Sequence, residues 1–161
     1  MANGVSLNWG GLNNALNNAA KKLSNKKLLM ATIGETLVSG TMKRFAAEED
    51  PEGRKWKQSQ RAQVQGGQTL SDNAHLRNSI DYAATSDKVM VGSNLVYARI
   101  HQLGGTINAK NGNYLKFKTA NGGFVSVKKV DMPARPYLGV SAADLEEVKA
   151  VFTEFMKGCF N

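Results

Sequence analysis

Leu29, Ile33, Leu37 and Phe45 fall on one i, i+4 row, with Met30, Val38 and Met42 beside it. This period predicts an amphipathic helix from Lys26 to Glu49, capped by Asn25, whose apolar side must be covered by a second layer. Gly34 and Gly40 interrupt it, each costing about 1 kcal/mol relative to Ala in a helix interior, and close contact with another helix would explain them. Asp50-Pro51-Glu52-Gly53 ends the row, because Pro presets its own φ and Gly accepts a positive one. Before it, Leu12, Leu16, Ala19, Ala20 and Leu23 recur at helical spacing and predict a shorter helix. The expected organisation is an N-terminal arm with a short helix over residues 1–25 and a single α+β domain over 26–161.

Beyond the turn the periods shorten. Gln58 to Gln68 is polar, Gln-rich and contains Gly66-Gly67, and it reads as an exposed, mobile loop. Asp72 or Asn73 can cap a short helix carrying Leu76, Ile80 and Ala83. Val89-Met90-Val91-Gly92 reads as a strand, and Leu95 to Leu103 as a helix with Val96, Ile100 and Leu103 inward, ended by Gly104-Gly105. Tyr114 to Lys118 alternates strictly, Ala120 to Gly123 supplies a turn, and Phe124 to Lys129 returns with Val125 and Val127 opposed to Ser126 and Lys128. The hairpin should rest its apolar face on its own sheet and project its basic face and its Asn121-Gly122-Gly123 tip. Met132-Pro133-Ala134-Arg135-Pro136 is an extended connector. Ser141 and Asp144 form a capping box for a last helix whose stripe is Leu145, Val148, Phe152, Phe155 and Met156. Trp56 and Tyr137, each following a rigid segment, are expected to be buried anchors. The fold class is α+β: long N-terminal helices and a C-terminal helix packed on a small, mostly antiparallel sheet with a projecting β-hairpin.

Little in the chain suits catalysis. Its 161 residues include one cysteine, Cys159, so no internal disulfide and no cysteine metal cluster can form, and Cys159 reads as a small apolar residue near a helix end. Of the two histidines, His75 reads as solvated and His101 as hydrogen-bonded at a helix end or an interface. Asp50 and Glu52 read as turn carboxylates, and Glu48, Glu49 and Asp50 as a solvated helix end. HExxH, GxSxG and phosphate-loop patterns are absent, and the glycine pairs read as turns. No catalytic, cofactor-binding or metal-binding residue is assigned, and an enzyme is not expected. No stretch approaches the roughly 20 apolar residues of a membrane span and the start lacks a signal-peptide pattern, so a soluble, intracellularly made protein without a membrane partner is expected.

The charge of +8 draws the chain toward anionic partners. Lys116, Lys118, Lys128 and Lys129 fall on neighbouring strands of the hairpin, where like charges repel unless an acidic surface or a phosphate backbone answers them. These lysines, with Tyr114 and Asn121, are candidate interface residues, as are Tyr97, His101 and Gln102 before the hairpin and Arg135 after it.

The order of segments resembles the phage virion morphogenesis, or tail-completion, family of Mu-like and related tailed phages over about residues 26–141. The resemblance rests on Arg44-Phe45, Asp50-Pro51-Glu52-Gly53 with Trp56, Leu70 and Leu76-Arg77-Asn78-Ser79-Ile80. It continues through Val91-Gly92-Ser93-Asn94, Tyr97-Ala98, Ile100-His101-Gln102, Gly104-Gly105 and Pro133-Ala134-Arg135-Pro136-Tyr137-Leu138-Gly139. The chain departs in lacking Pro after the Trp segment and in having Asn73 where Gly is common. The resemblance implies a self-associating ring, six-fold, at the head–tail junction of the virion, made in the host cytoplasm. Implied partners are the connector or stopper and the tail terminator or tail tube proteins, with non-specific contact to DNA in the channel. It brings no catalytic residues and no cofactor. The alternative is a basic nucleic-acid-binding accessory protein, which salt would distinguish, because phosphate-driven binding loses orders of magnitude in affinity at moderate salt.

Overall fold

The long apolar row folds as α1, Lys26–Ala47, in a computed structural model that describes residues 25–160. Asn25 caps it by accepting from the Leu28 amide, and Glu48 ends it in the left-handed region, with the following Glu49 amide returning to the Arg44 carbonyl. The helix predicted over Leu12 to Leu23 lies outside the described residues, as does the side chain of Cys159. α1 packs on the last helix, α5, Ala142–Phe160, and on a ribbon of β1, Ile80–Ala84, and β2, Val89–Ser93.

The two helical glycines mark those two packings separately. A Cβ at Gly40 would sit 1.9 Å from Asp144 Oδ1 on α5, which is the expected helix contact. At Gly34 it would sit 2.3 Å from Cδ2 of Tyr82, so this glycine makes room for a strand aromatic instead. Gly40→Ala should lower stability by about 1 to 3 kcal/mol, because overpacking a fixed neighbour outweighs the gain of about 1 kcal/mol in helix propensity. Denaturant unfolding checks it, and a more stable variant would show that α5 yields at no cost.

The antiparallel strands are distributed over three two-stranded ribbons. β1 pairs with β2 from Ile80↔Ser93 to Ala84↔Val89. β3, Gly105–Asn108, pairs with β6, Lys129–Met132, and β4, Leu115–Lys118, with β5, Phe124–Val127. Four expectations are corrected here. Gln58 to Gln68 contains a helix, α2, Gln60–Gln65: Ser59 Oγ caps it at Ala62, whose side chain is buried. The helix expected through Ala83 stops as α3, His75–Asn78, because pairing with β2 extends the chain from Ile80 onward, although Asn73 Oδ1 does accept from the His75 amide at 3.3 Å. The next helix, α4, runs Ala98–Leu103 with Ala98 inward, which turns Val96, 99% exposed, and Leu103 to the outside. Lys129 belongs to β6 opposite Asn108, so the hairpin return ends at Val127.

The capping box forms as read, with Ser141 Oγ accepting from the Asp144 amide at 3.1 Å and Asp144 Oδ2 from the Ser141 amide at 2.8 Å. The stripe behind it divides, however. Val148, Val151 and Phe155 are half-buried while Leu145 and Phe152 point outward, because docking through Asp144 fixes the helix phase. The core is Phe45, Trp56, Leu76, Ile80, Ala98 and Tyr137. Trp56 and Tyr137 are the buried anchors expected, with their ring centroids 5.6 and 5.1 Å from that of Phe45. The Asp50 turn is firmer than a solvated helix end. Its buried carboxylate accepts from the amides of Glu52 and Arg54 and from Arg54 Nε at 2.7 Å. Burial pushes its pKa up, and the Arg54 hydrogen bonds outweigh this and leave it lowered.

Candidate assembly interface

Several buried polar groups in this fold join segments far apart in sequence. Arg44 donates from Nε to the Tyr137 carbonyl at 2.8 Å, from Nη1 to Asp144 at 2.6 Å, and from Nη2 to Thr41 Oγ1 and the Gly139 carbonyl at 3.0 Å each. It therefore ties α1 to the extended connector and to α5. Trp56 Nε1 donates to the Pro136 carbonyl, and the Tyr137 hydroxyl donates to the Ala98 carbonyl. Burial pushes the Tyr137 pKa up to about 12, so that hydroxyl remains a donor at neutral pH.

Two of the sequence-derived interface candidates sit within this frame. Gln102 Oε1 accepts from the amides of Tyr137 and Leu138, and its Nε2 donates to the Leu138 carbonyl at 2.9 Å. Arg135 is 5% exposed, its amide donating to the His101 carbonyl and its Nε to the Lys57 carbonyl. Both hold the connector in place within the subunit. Tyr97 and His101 stack edge to face, centroids 5.9 Å apart, at a cleft of about 440 Å³ that Arg61, Asp72, Asp131 and Arg135 also line. Burial, then the Arg135 charge, lowers the His101 pKa, so the ring is neutral at pH 7. Its buried Nδ1 has no hydrogen-bond partner among the described residues. No three His, Cys, Asp or Glu side chains gather closely enough there or elsewhere in the described residues to hold a metal ion.

The other candidates gather on the β4–β5 hairpin. Lys116 stands opposite Ser126 and Lys118 opposite Phe124 on one face, with Tyr114 and Lys128 flanking the strands and Lys128 Nζ 6.0 Å from the Tyr114 ring centroid. Asn121 is exposed in the turn. The opposite face does not rest on a sheet as expected: the ribbon has two strands only, Leu115, Val125 and Val127 are half-buried, and Phe117 is exposed. Nor is the tip wholly free, because Gln65 Nε2 on α2 donates to the Ala120 carbonyl at 2.7 Å. Sequence reasoning passed over Phe124, which is 83% exposed among the lysines. Strand parity could have found it, since it alternates with Val125 and so shares a face with Ser126.

An exposed aromatic on a basic ribbon is a surface suited to binding. No helix of the described residues is long and apolar enough to cross a membrane. In comparison with known proteins, the profile of the phage virion morphogenesis family matches residues 7–157. The chain is 28% identical over 150 residues to the Mu-like prophage FluMu G protein 2 of Haemophilus influenzae, a match covering 91% of this chain and 92% of that protein. No solved structure matches it.

Proposed function

Because the chain belongs to the phage virion morphogenesis family, we propose that it acts as a structural virion protein that closes into a ring at the head–tail junction of a tailed phage. The observation that carries this reading is the contrast between inside and outside. The interior hydrogen bonds fix the connector and α5, while Val96, Leu103, Met90, Phe124 and Phe152 remain exposed on different elements. A subunit of a ring needs two unlike surfaces, one for each neighbour, and closure then depends only on the rotation between them. Six copies would surround the DNA channel between connector or stopper proteins and the tail terminator or tail tube. No enzymatic step is assigned to it.

Electron microscopy and light scattering of the purified chain test the ring, with annular particles as the expected result. Lys116→Glu with Lys118→Glu should leave the melting temperature unchanged, since both lysines are exposed, and should abolish annular particles. Unaltered rings from that variant would remove the basic face from the interface. The net charge of +8 favours a second reading, a nucleic-acid-binding accessory protein. It requires DNA affinity that falls by orders of magnitude between about 50 and 200 mM salt, with no ring present.

A further inference from the structure

Two surfaces of this subunit, on different parts of the fold, complement each other in charge and shape. The β4–β5 hairpin is attached near α2 through Gln65, whereas the β1–β2 ribbon lies on α1. The outer face of that ribbon is a shallow groove of about 610 Å³. Register pairs Asp81 with Gly92 and Ala83 with Met90 on it. A Cβ at Gly92 would meet nothing within 4 Å, so the floor beside the exposed Met90 is flat and open, and Asp81 is the one charged side chain among the groove residues. Asp81 accepts from the Tyr82 amide, and neither it nor the nearby Glu35, which accepts from the Tyr82 hydroxyl, forms an ion pair among the described residues. On the hairpin, Lys116 and Lys118 likewise form none, and Phe124 stands beside Lys118.

We infer that the occupant of the groove is a second copy of this chain: the hairpin of one subunit lies on the β1–β2 ribbon of the next, Phe124 standing on Gly92 against Met90 and Lys118 reaching Asp81. An apolar anchor gives such a contact its area, and the paired charges set its register and exclude the reversed docking. The contact is head to tail, because the two surfaces differ, and it repeats around a closed ring. The inference rests on the ring reading and specifies which faces meet.

Sedimentation of the purified chain across a concentration series tests it. Gly92→Phe fills the open floor and Asp81→Lys reverses the acid, and each should raise the subunit dissociation constant about tenfold or more with the melting temperature held. Lys118→Glu alone should do the same, and Lys118→Glu combined with Asp81→Lys should restore association to within about threefold of the parent chain. Association that survives Gly92→Phe, or a charge swap that restores nothing, overturns the pairing while leaving the ring reading in place. A parent chain that stays monomeric at every concentration overturns the ring reading itself.

Discussion

Arg44→Met will lower the unfolding free energy by about 3 to 5 kcal/mol at neutral pH. The guanidinium donates to two carbonyls, a hydroxyl and a carboxylate, and methionine returns none of these bonds while leaving Asp144 buried and charged. The loss should also depend on pH. In the parent, burial raises the Asp144 pKa, but the Ser141 amide and then Arg44 outweigh it and leave it lowered. A lowered folded-state pKa contributes stability that is present above the unfolded value, about 4, and disappears as pH falls through the folded one. Without Arg44 the burial effect gains weight, so the variant should take up a proton at Asp144 at higher pH than the parent. The difference between the two proteins should therefore shrink on acidification. Denaturant unfolding followed from pH 7 down to about pH 3, below the unfolded carboxylate value, measures both, and a gap that is constant with pH would show that the carboxylate is not what Arg44 stabilises.

Trp56→Ala should cost about 3 to 5 kcal/mol, and here the loss should not vary with pH. The indole packs edge to face on Phe45, closes the core beneath the connector and donates to the Pro136 carbonyl. Alanine leaves a cavity and an unanswered carbonyl together. Trp56→Phe separates the two, because it retains most of the packed area and removes only the hydrogen bond, whose net value is about 1 kcal/mol. Thermal unfolding of both variants checks this, and equal losses would assign the whole effect to Nε1.

These two sites were not equally legible. The burial of Trp56 could be read from a large side chain following a Pro-Gly turn, and α1, its Asn25 cap and the Ser141 capping box all follow from signals within a few residues. Arg44 entered only as part of the Arg44-Phe45 pair, with no role assigned, because its carboxylate lies 100 residues away. The same reason explains the strands that were misplaced. Ile80 and Ala83 fit a helical spacing, and only pairing with β2 draws them into β1, while β3 and β6 are four residues each and exist through one another. α2 was missed for a different reason: a six-residue polar helix with one buried alanine has too little period to show. At the candidate interface, the lysines were visible from alternation and Asn121 from the turn, but Gln102 and Arg135 were not separable from surface residues until their carbonyl partners were in view.

The 100-residue separation between Arg44 and Asp144 has a consequence for synthesis. On the ribosome α1 emerges early, yet its buried cation meets no carboxylate until α5 begins to appear, and the connector that it also binds arrives only shortly before. Contacts this distant in sequence form late, after the cost of closing the loop between them. A chain released before Asp144 would carry an unpaired guanidinium at the end of α1 and could not order the segment around Tyr137.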